Sequence, residues 1–299
     1  TPVISSAASD VYKRQLRMLG QDLPRLGFET SFADSSDAAA MKAAIRPNTR
    51  MIMIEAVSNP TLRVADVTGI AELAAAHGAL LVVDNTFTTP AMFRPMEHGA
   101  DIVINSITKF LAGHSDVTLG YVAAREPGLR TAIYDAAVTW GTTPSPFDCW
   151  LAERGLHTFD LRFEKAQATA AALADALAGR DGIRQVIYPG RADHPHHNRA
   201  GTLFGGQFGN MLSFEIEGGR DEVNSFVMNA GGIPFAPTLG DVGCTLSHPA
   251  SSSHRALTTE GRAALGISEG YFRLSVGIEP PELVLAELDA ALAAVRGES

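Results

Sequence analysis

Lys109 follows Ser106-Ile107-Thr108 and precedes Phe110 and the loop Gly113-His114-Ser115-Asp116. The chain carries four lysines against twenty arginines, so lysine is not its default cation. Upstream, the apolar run Leu80-Leu81-Val82-Val83 ends abruptly in Asp84-Asn85. An amine can form a Schiff base, neighbouring hydroxyls can bind a phosphate, and a carboxylate can pair with a protonated ring nitrogen. Together these are the groups that hold pyridoxal 5'-phosphate. Each also has an ordinary alternative. A lone lysine is usually a surface residue, and an Asp after a strand commonly caps a turn. The apolar neighbours Ile107, Phe110 and Leu111 favour a partly buried amine, and desolvation favours its neutral, nucleophilic form.

The elements that must position these groups alternate. Met51-Ile52-Met53-Ile54, Leu80 to Val83, Asp101 to Ile104 and Leu119 to Val122 read as short strands. Asp66 to His77 reads as a helix with Ile70, Leu73, Ala74 and His77 on one face and Gly78 as its stop. Strands separated by helical segments predict an α/β fold with a mostly parallel sheet. Ligands gather at the carboxyl ends of such strands, where Asp84, Asn85 and Ser106 fall. After the turn-rich Thr142-Thr143-Pro144-Ser145-Pro146, one Ala/Leu-rich helical stretch is expected from about Phe147 to Leu177. Beyond Gly179, strands at 186–188, 211–214 and 272–276 and helices at 222–230 and 282–295 predict a smaller C-terminal α+β domain. The expected division is residues 1–160 for cofactor binding and 161–299 for the second domain.

Composition narrows the function classes. With 45% hydrophobic and 19% charged residues over 299, the chain reads as globular with a sizeable core. No apolar run approaches the roughly 20 residues of a membrane span, so no membrane is expected. The net charge of -9 argues against a nucleic-acid partner. Cys149 and Cys244 lie far apart without metal-type spacing, which predicts free thiols in the cytoplasm. No metal is expected. His194, His196 and His197 read as a solvated, Pro-broken loop, and Gly205, Gly206 and Gly209 as sites of close backbone packing. No strand pattern begins at Thr1, and residues 1–15 are expected to be non-native, on an N-terminally incomplete chain.

Longer motifs carry a resemblance. Asp84-Asn85-Thr86-Phe87-Thr88-Thr89-Pro90, Arg94-Pro95, Gly99-Ala100-Asp101, Ser106 to Phe110 and Gly113 to Asp116 resemble the signature of the Cys/Met-metabolism pyridoxal-phosphate enzymes. So do Ser58-Asn59-Pro60, Arg154-Gly155-Leu156-His157-Thr158, Tyr188-Pro189-Gly190, His248-Pro249-Ala250 and Arg273 to Glu279. The family includes the cystathionine γ-synthases, γ-lyases and β-lyases, the methionine γ-lyases and the homoserine-ester sulfhydrylases. The resemblance implies fold type I and assigns roles. Lys109 would be the cofactor lysine and proton carrier, Asp84 the partner of the ring nitrogen, and Ser106 and Thr108 phosphate ligands. Asn59 would lie near the phenolic oxygen, and Arg273 would bind the substrate carboxylate. Tyr12 falls where relatives carry a ring-stacking tyrosine that assists proton transfer. The relatives' glycine-containing phosphate turn is missing from this sequence.

Pro237-Thr238-Leu239-Gly240-Asp241 matches the family's substrate-facing turn and makes Thr238 a substrate residue. Pro237 stands where γ-lyases and γ-synthases carry a glutamate, and Leu-Gly-Asp is closer to methionine γ-lyases and sulfhydrylases. The expected activity is γ-elimination or γ-replacement on a small amino-acid substrate of the homocysteine class, by a homo-oligomer that is a dimer of dimers in relatives. Alternatives are a cystathionine β-lyase, a methionine γ-lyase, an O-acylhomoserine sulfhydrylase, or a truncated, inactive chain.

Overall fold

Apolar runs of five residues that are buried on both faces suit a parallel sheet covered on each side. In the computed structural model, which describes residues 3–5, 17–255 and 257–298, six strands form such a sheet. They are β1 (Val3–Ser5), β2 (Thr30–Phe32), β3 (Met51–Glu55), β4 (Leu80–Asp84), β5 (Ile102–Ser106) and β6 (Gly120–Ala124). The order is β2-β1-β3-β4-β5-β6. All neighbouring pairs are parallel except β5 with β6, which is antiparallel. Ile52, Ile54, Leu81 and Val83 are buried, and so are Met53 and Val82 between them in the alternation; on β5 the neighbours Ile102 and Val103 are both buried. The Val3–Ser5 strand corrects the expectation of no strand there. Three residues cannot announce a period of two, and its pairing with β2 and β3 supplies the order.

The crossover from β3 to β4 is the helix Val67–His77. Asp66 caps it, its Oδ1 accepting from Gly69 N at 3.2 Å, and Gly78 ends it at φ 62°. The expected helix from about 147 to 177 is two helices, Pro146–Leu156 and Phe159–Leu177. Thr158 makes the break: its N–H and its hydroxyl both turn back to Gly155 O, at 3.3 and 3.4 Å. A further helix, Pro127–Thr139, has no buried residue, though its Leu129 and Ile133 pack against the first unit's core.

The chain divides into one unit of Thr1–Asn59 and Arg63–Thr158 and a second of Pro60–Leu62 and Phe159–Ser299. The second holds an antiparallel sheet ordered β7 (Ile183–Ile187), β8 (Met211–Ile216), β10 (Tyr271–Ser275) and β9 (Thr245–Ser247). Its core joins Leu173, Ala174 and Leu177 of the long helix to Phe214, Phe226 and Phe272 and to Leu288 and Leu292 of the helix Pro281–Val295. Phe214 and Phe272 stack with centroids 5.6 Å apart. Pro60 is fastened to this sheet, its carbonyl accepting from Ser213 Oγ at 2.8 Å and Tyr271 OH at 2.9 Å.

Two loop expectations change. The histidine loop is not solvated: His194 is buried, His196 N donates to its Nδ1, and His197 stacks on Phe208 while its Nδ1 meets Pro189 O. Gly205 and Gly206 have open space where a Cβ would stand, at φ 62° and 83°. They serve backbone handedness, not close packing.

Candidate active site

The carboxyl ends of β3, β4 and β5 collect the polar groups of the first unit. Asp84 is the last residue of β4 and Ser106 the last of β5. The Asn-Thr pair after Asp84 ties the two strand ends together. Thr86 N donates to Asp84 Oδ1 at 2.9 Å, and Thr86 Oγ1 accepts from Ser106 N at 3.0 Å. Asn85 is structural. Its N–H donates to Ile104 O, its amide to Phe93 O, and its own carbonyl accepts from Asn105 Nδ2 at 2.9 Å. Asp84 therefore caps its turn, as one of its sequence readings has it, and it is buried at the strand end.

A cavity of about 1090 Å³ opens beside these ends, lined by Asp84, Thr86, Asn105, Ser106 and Tyr121 among others. It brings Asp84 and Ser106 to one space. Thr108 and Lys109 lie outside that lining, in the turn after β5. There Lys109 N donates to Ser106 O, Gly113 N to Lys109 O and Ala112 N to Ile107 O. Lys109 is half-buried and Phe110 buried. The Thr108 hydroxyl serves the backbone of Leu119, donating to its carbonyl at 3.1 Å and accepting from its N–H at 2.9 Å. That clamp fixes the loop 107–119 between β5 and β6. Asn59 is buried at the end of the segment after β3. Tyr12 lies outside the described residues.

Two residues of this region were missed in the sequence. Glu55, the last residue of β3, is buried, and burial and the field of Asp84 push its carboxyl well above the usual carboxylate range. Tyr121 on β6 is held protonated by burial and by Asp84. Glu55 carried the same signal as Asp84, an acid closing an apolar strand. Tyr121 carried none, since a tyrosine in a strand is ordinary.

In the second unit, Arg273 lies at the middle of β10 and is 2% exposed. Its guanidinium donates to Thr238 O at 2.8 Å and Pro237 O at 3.2 Å. Ser275 Oγ accepts from Gly240 N at 2.9 Å, so β10 holds the turn 237–240 at two points. The two substrate residues named from the sequence thus belong to one hydrogen-bonded group.

The donor set fits pyridoxal phosphate. A buried carboxylate at a strand end is stabilised by N–H and cationic partners; the Thr86 N–H is one, and a protonated ring nitrogen would be a suitable addition. The amine and hydroxyls follow on the adjacent strand and turn. A mostly parallel sheet with acid and lysine at its carboxyl edge, followed by an antiparallel α+β unit, defines a fold-type-I pyridoxal-phosphate enzyme. Residues 3–293 match the model of the Cys/Met metabolism PLP-dependent enzyme family, and the chain belongs to that family. Its cofactor is pyridoxal phosphate and its chemistry is at carbon–sulfur bonds.

The chain is 41% identical over 283 residues to a cystathionine beta-lyase of Bacillus subtilis, covering 95% of this chain and 72% of that one. It is 40% identical over 283 residues to a cystathionine gamma-lyase of the same organism, covering 95% and 74%. The crystal structure of cystathionine gamma synthase from Xanthomonas oryzae pv. oryzae in complex with cystathionine superposes with a TM-score of 0.93 at 40% identity, over 100% of this chain and 76% of that one. Among the described residues, no helix is long and apolar enough to cross a membrane.

Proposed function

We propose that the chain eliminates or replaces the γ-substituent of a homocysteine-class amino acid, with Lys109 as the cofactor lysine and proton carrier. The observation that carries this is the meeting of Asp84 and Ser106 in one cavity, with Lys109 three residues further along the turn. When bound, pyridoxal phosphate supplies an electron sink that acidifies hydrogens near the substrate amine. Asp84 keeps the ring nitrogen protonated, and its burial strengthens that pairing. Ser106 would donate to the phosphate and Asn59 to the phenolic oxygen; Thr108 would join Ser106 there by turning its hydroxyl hydrogen away from the Leu119 carbonyl. Lys109 would hold the cofactor, and its free amine would move protons at the substrate Cα and Cβ as the γ-group leaves. Tyr12 assists proton transfer. Arg273 holds the substrate α-carboxylate through its planar fork, and Thr238 faces the substrate in the turn that Arg273 anchors.

The proposal extends to a homo-oligomer in the cytoplasm, with cofactor chemistry in residues 1–160. The test is incubation of cofactor-loaded protein with cystathionine, methionine and O-acylhomoserines, with and without sulfide. Release of 2-oxobutanoate, or sulfide-dependent replacement, is the expected result. Pyruvate from cystathionine would shift the assignment to β-cleavage, and silence from every substrate would reject the enzyme reading.

A further inference from the structure

Asp84 has a second buried carboxyl beside it. Glu55 closes β3, Asp84 closes β4, and the two are register partners on adjacent parallel strands. Register partners project from the same face of a sheet. Glu55 is 8% exposed and Asp84 5%. Glu55 accepts a hydrogen bond from the backbone N–H of Asn59. Its Oε2 is buried without a protein hydrogen-bond partner. One side chain thus stands against two of the residues assigned to the cofactor.

Two neighbouring buried carboxyls resist ionising together at neutral pH, and the pair keeps one proton. Burial acts most strongly on Glu55, the charge of Asp84 adds to it, and the Asn59 N–H opposes both more weakly. Asp84 is the charged group acting on Glu55. Tyr121 of β6 also feels Asp84 and stays neutral, so it adds no second anion. The proton falls to Glu55.

We propose that Glu55 is a positioning residue, a neutral carboxylic acid that shares a single negative charge with Asp84 and holds Asn59 by its backbone. Its purpose rests on the pyridoxal-phosphate reading; the shared charge does not. A proton on Asp84 instead would remove the anion that a ring nitrogen needs. A second anion on Glu55 would leave a buried charge with no counterpart.

Infrared spectroscopy of the cofactor-free protein tests the pairing directly. The wild type is expected to show the carbonyl band of a neutral carboxylic acid at neutral pH, and Glu55→Gln to lose it. In Asp84→Asn the band's ionisation midpoint is expected to drop by about one unit or more, because a like charge is gone. No band in the wild type, a band that survives Glu55→Gln, or an unmoved midpoint overturns the proposal. Should Asp84→Asn not fold, cofactor affinity decides. Glu55→Ala strands the Asn59 N–H and is expected to weaken pyridoxal phosphate binding about tenfold, while Glu55→Gln stays within about threefold. Unchanged affinity in Glu55→Ala overturns the proposal. Failure to trap cofactor on Lys109 while the infrared result stands would sink the cofactor reading and leave the shared proton intact.

Discussion

The Arg273 guanidinium donates to the Thr238 carbonyl at 2.8 Å from the middle of a buried strand. This bond joins the residue assigned to the substrate carboxylate to the turn assigned to the rest of the substrate. A lysine has one ammonium and no fork, so it cannot hold carbonyl and carboxylate in fixed relation. Arg273→Lys is expected to raise KM for the amino-acid substrate about 10- to 100-fold, the worth of one lost charge-assisted hydrogen bond, with a smaller change in kcat. Steady-state kinetics measure both, and an unchanged KM would remove Arg273 from the substrate site.

Thr108 has a structural duty that needs no cofactor. Its hydroxyl closes the lysine loop through both backbone groups of Leu119. The Leu119 carbonyl also accepts from Thr108 N, so Thr108→Val strands the Leu119 N–H and should cost about 1–3 kcal/mol in the cofactor-free protein, and Thr108→Ser should restore most of it. Urea denaturation measures the difference. A cost confined to the cofactor-loaded form would show that the hydroxyl serves the phosphate alone.

Gly155 lies where the helix Pro146–Leu156 meets the lysine loop. A Cβ there would come within 2.9 Å of Ala112 Cα and 3.0 Å of its carbonyl carbon. These are backbone atoms that cannot rotate away. Gly155→Ala should therefore destabilise the first unit by about 1–3 kcal/mol despite the better helix propensity of alanine. A thermal melt reads the change, and a stabilised variant would mean that the helix does not press on the loop.

Burial lowers the pKa values of His194 and His254 in the second unit to about 4. A histidine with a depressed folded pKa resists protonation that the unfolded chain accepts. Between its unfolded value near 6.5 and about 4, the unfolded state binds more protons, so stability falls as pH falls. Each histidine should contribute up to about 1.4 kcal/mol per pH unit within that window. Urea midpoints from pH 7 to 4 should drop accordingly, and the drop should flatten in the double variant His194→Gln, His254→Gln. An equal slope in the variant would assign the acid lability elsewhere.

The mostly parallel sheet and the four strands from β3 to β6 were legible, because buried strands leave apolar runs and a charge that ends such a run is conspicuous. Asp84 stood out on that ground, and Lys109 because lysine is scarce in this chain and this one follows two hydroxyl residues. Glu55 ended the run Met51–Ile54 in the same way, but its meaning depends on being level with Asp84 across two strands, which no one-dimensional pattern displays. The three-residue strands β2 and β9 owe their order to neighbours rather than to alternation. The burial of His194 and the Thr108–Leu119 clamp are likewise tertiary facts: a polar side chain carries no mark of which backbone group it will find.

The central claim is that Lys109 carries the cofactor. Borohydride reduction of the cofactor-loaded protein, followed by peptide mass spectrometry, tests it most directly. Phosphopyridoxyl modification on the peptide containing Lys109, and its loss in Lys109→Ala, is the predicted result. Stoichiometric modification of Lys13, Lys42 or Lys165 instead, or of none, would contradict it.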